Sequence, residues 1–269
     1  MDDATAVLTV PDLVTFKAEG RRITVLTCYD ALFARLLDGH VDVLLVGDSL
    51  HQLLAGHQTT LGATLDQMIY HGAAVVRGAR RSLVFVDLPF LTYQVTVADA
   101  VRNAGRVLQE TGAAGVKLEG GASMRETIAA MVRAGIPVMG HVGLTPQSVH
   151  QLGGYRVQGR GRAAAERLLA DAKAVEEAGA CAVVLELVPA ALAGRVSRQL
   201  SIPTIGIGAG PSCDGQVLVL HDMLGLNEGF APKFLKTYAD LAPVVRKAAE
   251  SFSREVREAR FPSKAHSFD

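Results

Sequence analysis

The 269-residue sequence predicts an α/β fold of the (β/α)8 type, a TIM barrel. Eight short runs rich in Val, Ile and Leu recur along the chain, and longer segments with helical spacing separate most of them. Several of these segments are followed by a glycine just before the next apolar run begins. Uninterrupted alternation of strand and helix is typical of a parallel sheet, and eight repeats in about 250 residues indicate a closed barrel.

The predicted strands are short and continuously apolar, as expected for strands that are buried on both faces of a parallel sheet. In chain order they cover residues 23–28, 42–47, 83–87, 115–119, 137–141, 181–186, 203–208 and 216–220. Helical spacing predicts helices at 30–38, 64–80, 96–111, 123–134, 162–178, 189–200 and 238–258. Three of them are followed by Gly112, Gly135 and Gly179, which favours helix termination. A further helix at 11–19 is expected to close the bottom of the barrel.

One connection is too short for the strand–helix repeat of the predicted barrel. Residues 209–215, between the seventh and eighth strands, cannot form a full crossover helix. Either the seventh helix of a closed barrel is short or missing, or the sheet is open and doubly wound. The spacing alone leaves both architectures open.

Composition favours one domain that binds small molecules. The chain is 49% apolar, which supplies a large core, and we predict a single domain over 1–269 with a frayed tail at 259–269. Lys and Arg total 27, as do Asp and Glu, so no overall charge attracts nucleic acid or an anionic membrane. The acidic N-terminus lacks the features of a signal peptide, and no apolar stretch of about 18 residues occurs. We therefore expect a cytoplasmic protein with reduced thiols.

Acidic residues stand at or just after the ends of four predicted strands. Asp48 follows the second strand, Asp87 and Glu119 end the third and fourth, and Glu186 ends the sixth. A carboxylate in apolar surroundings is unfavourable unless a metal, an opposite charge or a substrate compensates it. Because barrel enzymes keep their chemistry at the carboxyl ends of the strands, we predict the functional site there.

Two of these carboxylates, Asp48 and Asp87, follow neighbouring strands and can converge on one point. With water and substrate in the remaining positions they suit Mg²⁺, although each could instead cap a helix or pair with a cation. Lys117 and Glu119 are two residues apart on the fourth strand and therefore point to the same side. They either join the site, with Glu119 near the metal and Lys117 on a substrate carboxylate, or form an ion pair that fills the barrel.

His141 and Glu186 can each be interpreted as a functional or as a structural residue. His141 is the only histidine at the end of a predicted strand, where it either donates to a substrate or has a structural role. Glu186, within VVLELVP, lies in apolar surroundings that favour a general base removing a proton from carbon, or it pairs with Lys117 or an arginine. His51 and His57 match no metal-ligand spacing, and we expect them to be solvated loop residues.

Two long connections, 49–63 and 142–161, follow the second and fifth strands. The second contains five glycines and shows no periodicity. Both leave the carboxyl ends of strands, so we expect lids or, alternatively, ordinary surface loops. The glycine-rich GIGAG at 206–210 is not a dinucleotide fingerprint, because Pro211 stands where that fingerprint needs Gly or Ala.

Several longer strings resemble one enzyme family. They are TCYDALFA (27–34), VGDSL (46–50), DLPF (87–90), VKLEGG (116–121), GHVGLTPQSV (140–149), GGYRVQGRG (153–161), VLELVP (184–189), IPTIGIGAG (202–210) and DGQVLVLHDMLGL (214–226). In this order, and over most of the chain, they resemble the 3-methyl-2-oxobutanoate hydroxymethyltransferases, also called ketopantoate hydroxymethyltransferases. The resemblance implies a barrel of the phosphoenolpyruvate/pyruvate type, Mg²⁺, and 5,10-methylenetetrahydrofolate as one-carbon donor. It also implies a homodecamer whose small-molecule partners are a 2-oxo-acid and a reduced folate.

The same resemblance implies roles for individual residues. Asp48, Asp87 and Glu119 correspond to the metal-binding carboxylates, and Glu186 corresponds to the catalytic base. The residues implied to bind the oxo-acid are Asp48, Ser49, Asp87, Lys117 and His141. The nearest alternative is another Mg²⁺-dependent 2-oxo-acid carbon–carbon lyase of the same barrel superfamily, and a catalytically inactive, ligand-binding barrel is the alternative from a different class.

Overall fold

The chain forms a closed barrel of eight parallel strands. The structure is a computed structural model and describes residues 7–268. The strands are β1 Ile23–Thr27, β2 Val43–Val46, β3 Leu83–Asp87, β4 Gly115–Glu119, β5 Val138–Gly143, β6 Ala182–Glu186, β7 Thr204–Ile207 and β8 Gly215–Leu218. Each strand pairs in parallel with the next, and β8 pairs with β1. The predicted barrel is therefore confirmed, and the open doubly wound sheet is excluded.

The helices follow the predicted order. They are α1 Val10–Ala18, α2 Ala31–Leu37, α3 Leu50–Leu53, α4 Leu65–Gly78, α5 Val97–Thr111, α6 Arg125–Arg133, α7 Val149–Leu152, α8 Arg162–Glu177, α9 Ala190–Gln199, α10 Leu220–Met223 and α11 Leu241–Arg257. Between β7 and β8, a segment that the structure describes in full, there is no helix. The short connection is held instead by Asp214, whose carboxylate accepts the Thr204 backbone N–H at 2.8 Å and the Thr204 hydroxyl at 2.9 Å.

One predicted strand boundary at the carboxyl end of the barrel is wrong, and the two long connections are not free of helix. β5 continues two residues past His141, because Val142 and Gly143 pair with Leu185 and Glu186 of β6. His141 therefore lies inside the strand and not at its end. The two long connections also contain short helical segments, namely α3, α7 and a 3-10 turn at Pro146–Ser148, which are too brief to produce a helical period in the sequence.

The chain groups into two compact units, Met1–Val219 with the barrel and Leu220–Asp269 with α10 and α11. In the second unit, the rings of Phe252 and Phe261 have centroids 5.7 Å apart. The single domain over 1–269 and the frayed tail at 259–269 stay predictions. None of the helices within residues 7–268 is both long and apolar enough to cross a bilayer. The first six residues, on which the expectation of no signal peptide partly rests, lie outside the described residues.

Helix α1 closes the amino-terminal end of the barrel, as predicted. Leu13 on this helix is buried against the barrel interior. The interior side chains around it include Ile23, Val25, Val43, Leu45, Leu83, Phe85, Met139, Val184, Ile205 and Val217. In the last turn, Lys17 Nζ donates to the carbonyl oxygens of Ser197 at 2.8 Å and Ile202 at 2.9 Å, and it lies 2.9 Å from the Asp214 carboxylate. An apolar contact and a half-buried cation thus fix the helix across the strand starts.

Replacing Leu13 by Ala is expected to destabilise the protein by about 2–4 kcal/mol, because it leaves a cavity against the barrel interior. Val14→Ala on the same helix serves as the control, since Val14 is 40% exposed and should cost little. Chemical denaturation of both variants measures the difference. Equal free energies of unfolding for the two variants would show that α1 does not seal the barrel.

Candidate active site

The carboxyl ends of β2, β3 and β4 bring three predicted site residues into contact. Asp87 ends β3 and pairs in register with Lys117 of β4, so the two side chains are neighbours. The Lys117 ammonium lies 2.8 Å from Asp87 Oδ1, and the backbone N–H of Asp48 donates to Asp87 Oδ2 at 3.1 Å. All three residues are buried. The predicted convergence of the two aspartates is therefore present in the structure.

A glycine between β2 and Asp48 permits this approach. A Cβ atom on Gly47 would lie 2.8 Å from Ser49 Oγ and 3.6 Å from Asp87 Oδ2. Any side chain at this position would displace Ser49 from its place beside the aspartates. Ser49 itself is half-buried, and its hydroxyl is hydrogen bonded to the hydroxyl of the buried Tyr29 at 2.8 Å. The structure thus places Ser49 next to Asp48, while its role in binding the oxo-acid stays a prediction.

His141 links the carboxylates of β4 and β6. Its Nδ1 lies 3.5 Å from Glu119 Oε1 and 3.4 Å from Lys117 Nζ, and its Nε2 lies 3.2 Å from Glu186 Oε2. The contact with Glu186 is close enough for an ion pair but lacks hydrogen-bond alignment. The Glu186 side chain is 17% exposed, against 4% for Glu119, so Glu186 is the more accessible of the two carboxylates.

Sequence reasoning missed Gln147, which is buried among the predicted residues. Its side-chain amide donates to Asp48 Oδ2 at 2.9 Å, and its backbone N–H donates to Glu119 Oε2 at 2.9 Å. Tyr93, which was also missed, donates its hydroxyl to Gln147 Oε1 at 2.7 Å. Gln147 lies within the family-like string GHVGLTPQSV, but a neutral amide in a connection has no charge that would single it out.

A glycine also directs the connection after β5 across the barrel mouth. Gly143 has a positive φ of 96°, and a Cβ atom there would lie 2.3 Å from the carbonyl oxygen of Glu186. The next residue, Leu144, donates its N–H to the same oxygen at 2.8 Å. Pro146 then begins the 3-10 turn that carries Gln147. The close turn at Gly143 is what brings Gln147 back over the ends of β2 and β4.

Burial and mutual repulsion dominate the titration of the aspartates. Burial, followed by the negative charges of Asp87 and Glu119, raises the pKa of Asp48 to about 8. Burial also raises the pKa of Asp87, although Lys117 opposes the change. Without a compensating cation, the buried pair Asp48 and Asp87 therefore favours retention of a proton near neutral pH.

The pKa values of the two basic groups are also raised, but by the neighbouring carboxylates and against the effect of burial. Burial lowers the pKa of Lys117, but the surrounding carboxylates, with Asp87 the strongest, outweigh it and leave the pKa above its ordinary value. Burial and the Lys117 charge lower the pKa of His141, but its contacts with Glu119 and Glu186 outweigh them and raise it to about 9. Both groups are therefore cationic at neutral pH.

The donor set fits a divalent cation that also takes ligands from water and substrate. In their ionised forms, the four carboxylates of Asp48, Asp87, Glu119 and Glu186 carry two more charges than the two cations that they surround, Lys117 and His141. No three His, Cys, Asp or Glu side chains within residues 7–268 form a group that could hold a metal ion by themselves. Asp48 and Asp87 thus offer a partial shell of hard oxygen donors, and Glu119 as a third ligand stays a prediction.

The two histidines after Asp48 do not both behave as solvated loop residues. His57 is exposed as expected, but His51 is buried and its ring stacks on that of His57, with centroids 3.9 Å apart and planes 7° apart. His51 Nδ1 lies 2.9 Å from the Thr59 carbonyl oxygen. A Cβ atom on Gly62 would lie 2.6 Å from His51 Cε1, so the glycine makes room for the ring. The expectation for His51 was wrong because the loop folds back on itself.

Comparisons with known proteins find relatives that match nearly the whole chain. A family model described as ketopantoate hydroxymethyltransferase matches residues 7–264. The 3-methyl-2-oxobutanoate hydroxymethyltransferase of Pelobacter propionicus is 54% identical over 270 residues, and the match covers 100% of both chains. The enzyme of the same name from Trichlorobacter lovleyi is 56% identical over 262 residues, covering 97% of this chain and 98% of the relative.

Solved structures with a similar fold have much lower sequence identity. A phosphonopyruvate hydrolase in complex with oxalate and Mg²⁺ has a TM-score of 0.61 at 13% identity, with 96% of this chain and 93% of that chain covered. A 2,3-dimethylmalate lyase of the PEP mutase/isocitrate lyase superfamily has a TM-score of 0.59 at 19% identity, with 97% and 92% covered. At these identities they show the fold alone, which is the predicted (β/α)8 barrel.

Changing Asp48 to Asn is expected to remove a pH-dependent loss of stability in the metal-free protein. The pKa of Asp48 is about 8 in the folded state, so the folded chain keeps a proton that the unfolded chain loses near pH 4. Its contribution to stability is therefore greatest at low pH, falls by at most about 1.4 kcal/mol per pH unit as the pH rises from about 4 to 8, and is constant above that.

Calorimetry in EDTA between pH 5 and pH 9 measures this effect. The difference in Tm between Asp48→Asn and the parent protein should grow up to about pH 8 and then level off. Asp66→Asn is the control, because that carboxylate is 82% exposed. Parallel pH profiles for the parent and Asp48→Asn would contradict the raised pKa.

Proposed function

Because the chain belongs to the ketopantoate hydroxymethyltransferase family, we propose that its barrel mouth transfers a hydroxymethyl group to 3-methyl-2-oxobutanoate. The product is ketopantoate, and the proposed one-carbon donor is 5,10-methylenetetrahydrofolate, with water consumed and tetrahydrofolate released. The prediction that the chain is a hydroxymethyltransferase is confirmed by the relatives' names. The observation that carries the proposal is the cluster at one end of the barrel in which the buried residues Asp48, Asp87, Lys117 and His141 lie beside the half-buried Glu186.

The proposed cofactor is Mg²⁺, held by Asp48 and Asp87 with Glu119 beside it. Burial and the neighbouring carboxylates hold the pKa of Asp48 at about 8, and a divalent cation would balance the two negative charges by which the four ionised carboxylates exceed Lys117 and His141. Carboxylate oxygens completed by water and substrate oxygens are the ligands that Mg²⁺ favours. When bound, the ion would supply Lewis-acid stabilisation of the negative charge that develops on the oxo-acid oxygens.

Glu186 is the proposed base, which removes the proton from C3 of the oxo-acid. It lies on the opposite side of His141 from Glu119, and its side chain is the more exposed of the two. His141, whose Nε2 is 3.2 Å from Glu186 Oε2, orients one carboxylate oxygen and leaves the other for the substrate. Water releases the methylene carbon of the folate as formaldehyde by replacing both of its C–N bonds, which gives tetrahydrofolate. C3 then forms the new carbon–carbon bond with that carbon, and the formaldehyde oxygen takes up a proton to become the hydroxyl group. Lys117 and the Ser49 hydroxyl are proposed to hold the oxo-acid in place during this step.

The long connections 49–63 and 142–161 are proposed to cover the reacting groups. They contact each other, since Gln52 Nε2 donates to the Tyr155 hydroxyl at 3.3 Å. Partial burial raises the pKa of Tyr155, and the charges of Glu186, Asp48 and Glu119 raise it further, which places this loop within the field of the carboxylates. A covered mouth would keep water from protonating the carbon nucleophile before it reacts.

Three further points stay predictions. They are the homodecamer, the reduced folate as partner and the cytoplasmic location. Light scattering coupled to size exclusion would measure the first, and cell fractionation would measure the last.

Purified protein is expected to consume 3-methyl-2-oxobutanoate only when 5,10-methylenetetrahydrofolate is present. EDTA should abolish the reaction and added Mg²⁺ should restore it, because two buried carboxylates would lose their compensating cation. Nuclear magnetic resonance of the substrate methyl groups follows the conversion directly. The alternative activity, a 2-oxo-acid carbon–carbon lyase, would instead cleave its substrate without folate, and such cleavage would refute the proposal.

Replacing Glu186 by Gln is expected to slow exchange of the C3 proton of 3-methyl-2-oxobutanoate with deuterium by roughly 10²–10⁴-fold, the usual contribution of a positioned base. Binding of Mg²⁺ and oxo-acid, measured by calorimetric titration, should stay close to that of the parent protein. Glu166→Gln provides the matched control, because Glu166 pairs with Arg162 on an exposed helix face. Exchange at the parent rate in Glu186→Gln would assign the base elsewhere.

A further inference from the structure

We propose that Gln147 is a positioning residue that holds one oxygen of Asp48 and one of Glu119, and so presents Asp48 to the cation. The inference rests on the proposed function, because it concerns the cation of that reaction. Gln147 contacts both carboxylates, through its side chain at Asp48 Oδ2 and through its backbone N–H at Glu119 Oε2, each at 2.9 Å. It does so from a connection that follows β5, whereas the two carboxylates follow β2 and end β4.

The orientation of the Gln147 amide is fixed by its neighbours. The Tyr93 hydroxyl accepts the Glu119 backbone N–H at 3.1 Å, so its own hydrogen is directed to Gln147 Oε1 at 2.7 Å. Gln94 Nε2 donates to the same oxygen at 3.1 Å. With Oε1 defined as the acceptor, the amide nitrogen must face Asp48.

The amide nitrogen uses both of its hydrogens. One is donated to Asp48 Oδ2 at 2.9 Å and the other to the Leu88 carbonyl oxygen at 3.0 Å. Rotation of the amide would therefore break four hydrogen bonds in a buried environment, where each unpaired group costs about 1–3 kcal/mol. Asp48 Oδ2 is consequently held in one place, and Oδ1 is the oxygen that Gln147 leaves for another ligand.

The neutrality of Gln147 is as important as its position. Asp87 is compensated by the Lys117 ammonium at 2.8 Å, whereas the side-chain donor to Asp48 is an uncharged amide. A neutral donor fixes the carboxylate without cancelling its charge, so Asp48 keeps its attraction for a divalent cation. Partners of this kind, which orient a metal ligand without binding the metal, typically change metal affinity or activity by 10–100-fold when they are removed.

The test is the Mg²⁺ affinity of Gln147→Met, measured by calorimetric titration without substrate. Methionine has a similar length but cannot donate to Asp48, so the dissociation constant should rise about tenfold. Gln109→Met, on the exposed face of α5, is the matched control and should bind like the parent protein. In turnover, the Mg²⁺ concentration at half-maximal rate should rise about tenfold, while kcat at saturating Mg²⁺ should fall less than threefold. A general loss of structure would not produce this separation of the two parameters.

The outcomes separate the inference from the function on which it rests. A parent protein that binds no divalent cation would refute the proposed cofactor. A parent that binds Mg²⁺ together with a folded Gln147→Met of equal affinity would overturn only the role of Gln147. If Gln147→Met does not fold, the double variant Tyr93→Phe with Gln94→Met replaces it, because it keeps Gln147 but removes both donors that fix the amide. Weaker Mg²⁺ binding in that variant supports the inference, and parent affinity overturns it.

Discussion

The burial of more negative than positive charge at the carboxyl end of the barrel is the constraint on which the rest of the structure depends. Asp48, Asp87 and Glu119 are buried there with Lys117 and His141, and Glu186 is adjacent. Like charges at these distances repel strongly where water is excluded, so the cluster is unfavourable by itself. Parallel register nevertheless makes several of the contacts unavoidable, because it sets Asp87 beside Lys117 and Glu119 beside His141. The barrel thus holds its charges together by backbone pairing and leaves the remaining imbalance to a ligand.

The opposite end of the barrel offsets this cost with apolar packing. The interior below the charged cluster is filled by aliphatic side chains and Phe85, and α1 covers them through Leu13. Lys17 on that helix is half-buried, but its ammonium group is fully engaged by two carbonyl oxygens and the Asp214 carboxylate. A cation with such partners is tolerated away from water, whereas the carboxylates at the other end have too few donors. The charge at the amino-terminal end of the barrel is therefore balanced by its partners, whereas the carboxylates at the carboxyl end are not.

The sequence predicted those parts of the site that depend on neighbouring residues in the chain, and it missed those that depend on contacts between distant residues. Apolar runs that end in Asp or Glu indicated both the strands and the charged cluster, because the cost of burying a carboxylate is a local argument. Gln147 and Tyr93 were not predicted, since both are uncharged and their partners lie 26 to 99 residues away in the chain. The end of β5 was misplaced because Gly143 normally interrupts a strand, whereas here it pairs with Glu186 and turns with a positive φ. His51 was misjudged for a similar reason, because its burial depends on a loop closing on itself.

The cationic partners of the four carboxylates are unevenly distributed, so the site has a side that attracts a cation and a side that carries the proposed base. Lys117 compensates Asp87, and His141 lies between Glu119 and Glu186, so the least compensated carboxylate is Asp48. This agrees with its pKa of about 8, which burial and two neighbouring carboxylates produce. The attraction for a cation is therefore concentrated on the side of β2 and β3, and the proposed base stands on the side of β5 and β6. A 2-oxo-acid that spans the mouth would place its oxygens on the side of β2 and β3, near the cation, and its C3 proton on the side of β5 and β6, near Glu186. The side chains of Lys117 and His141 would lie between them. Because the proposed cation and the proposed base Glu186 are on different sides of the site, the cation can stabilise an anionic substrate without neutralising the base that accepts the proton.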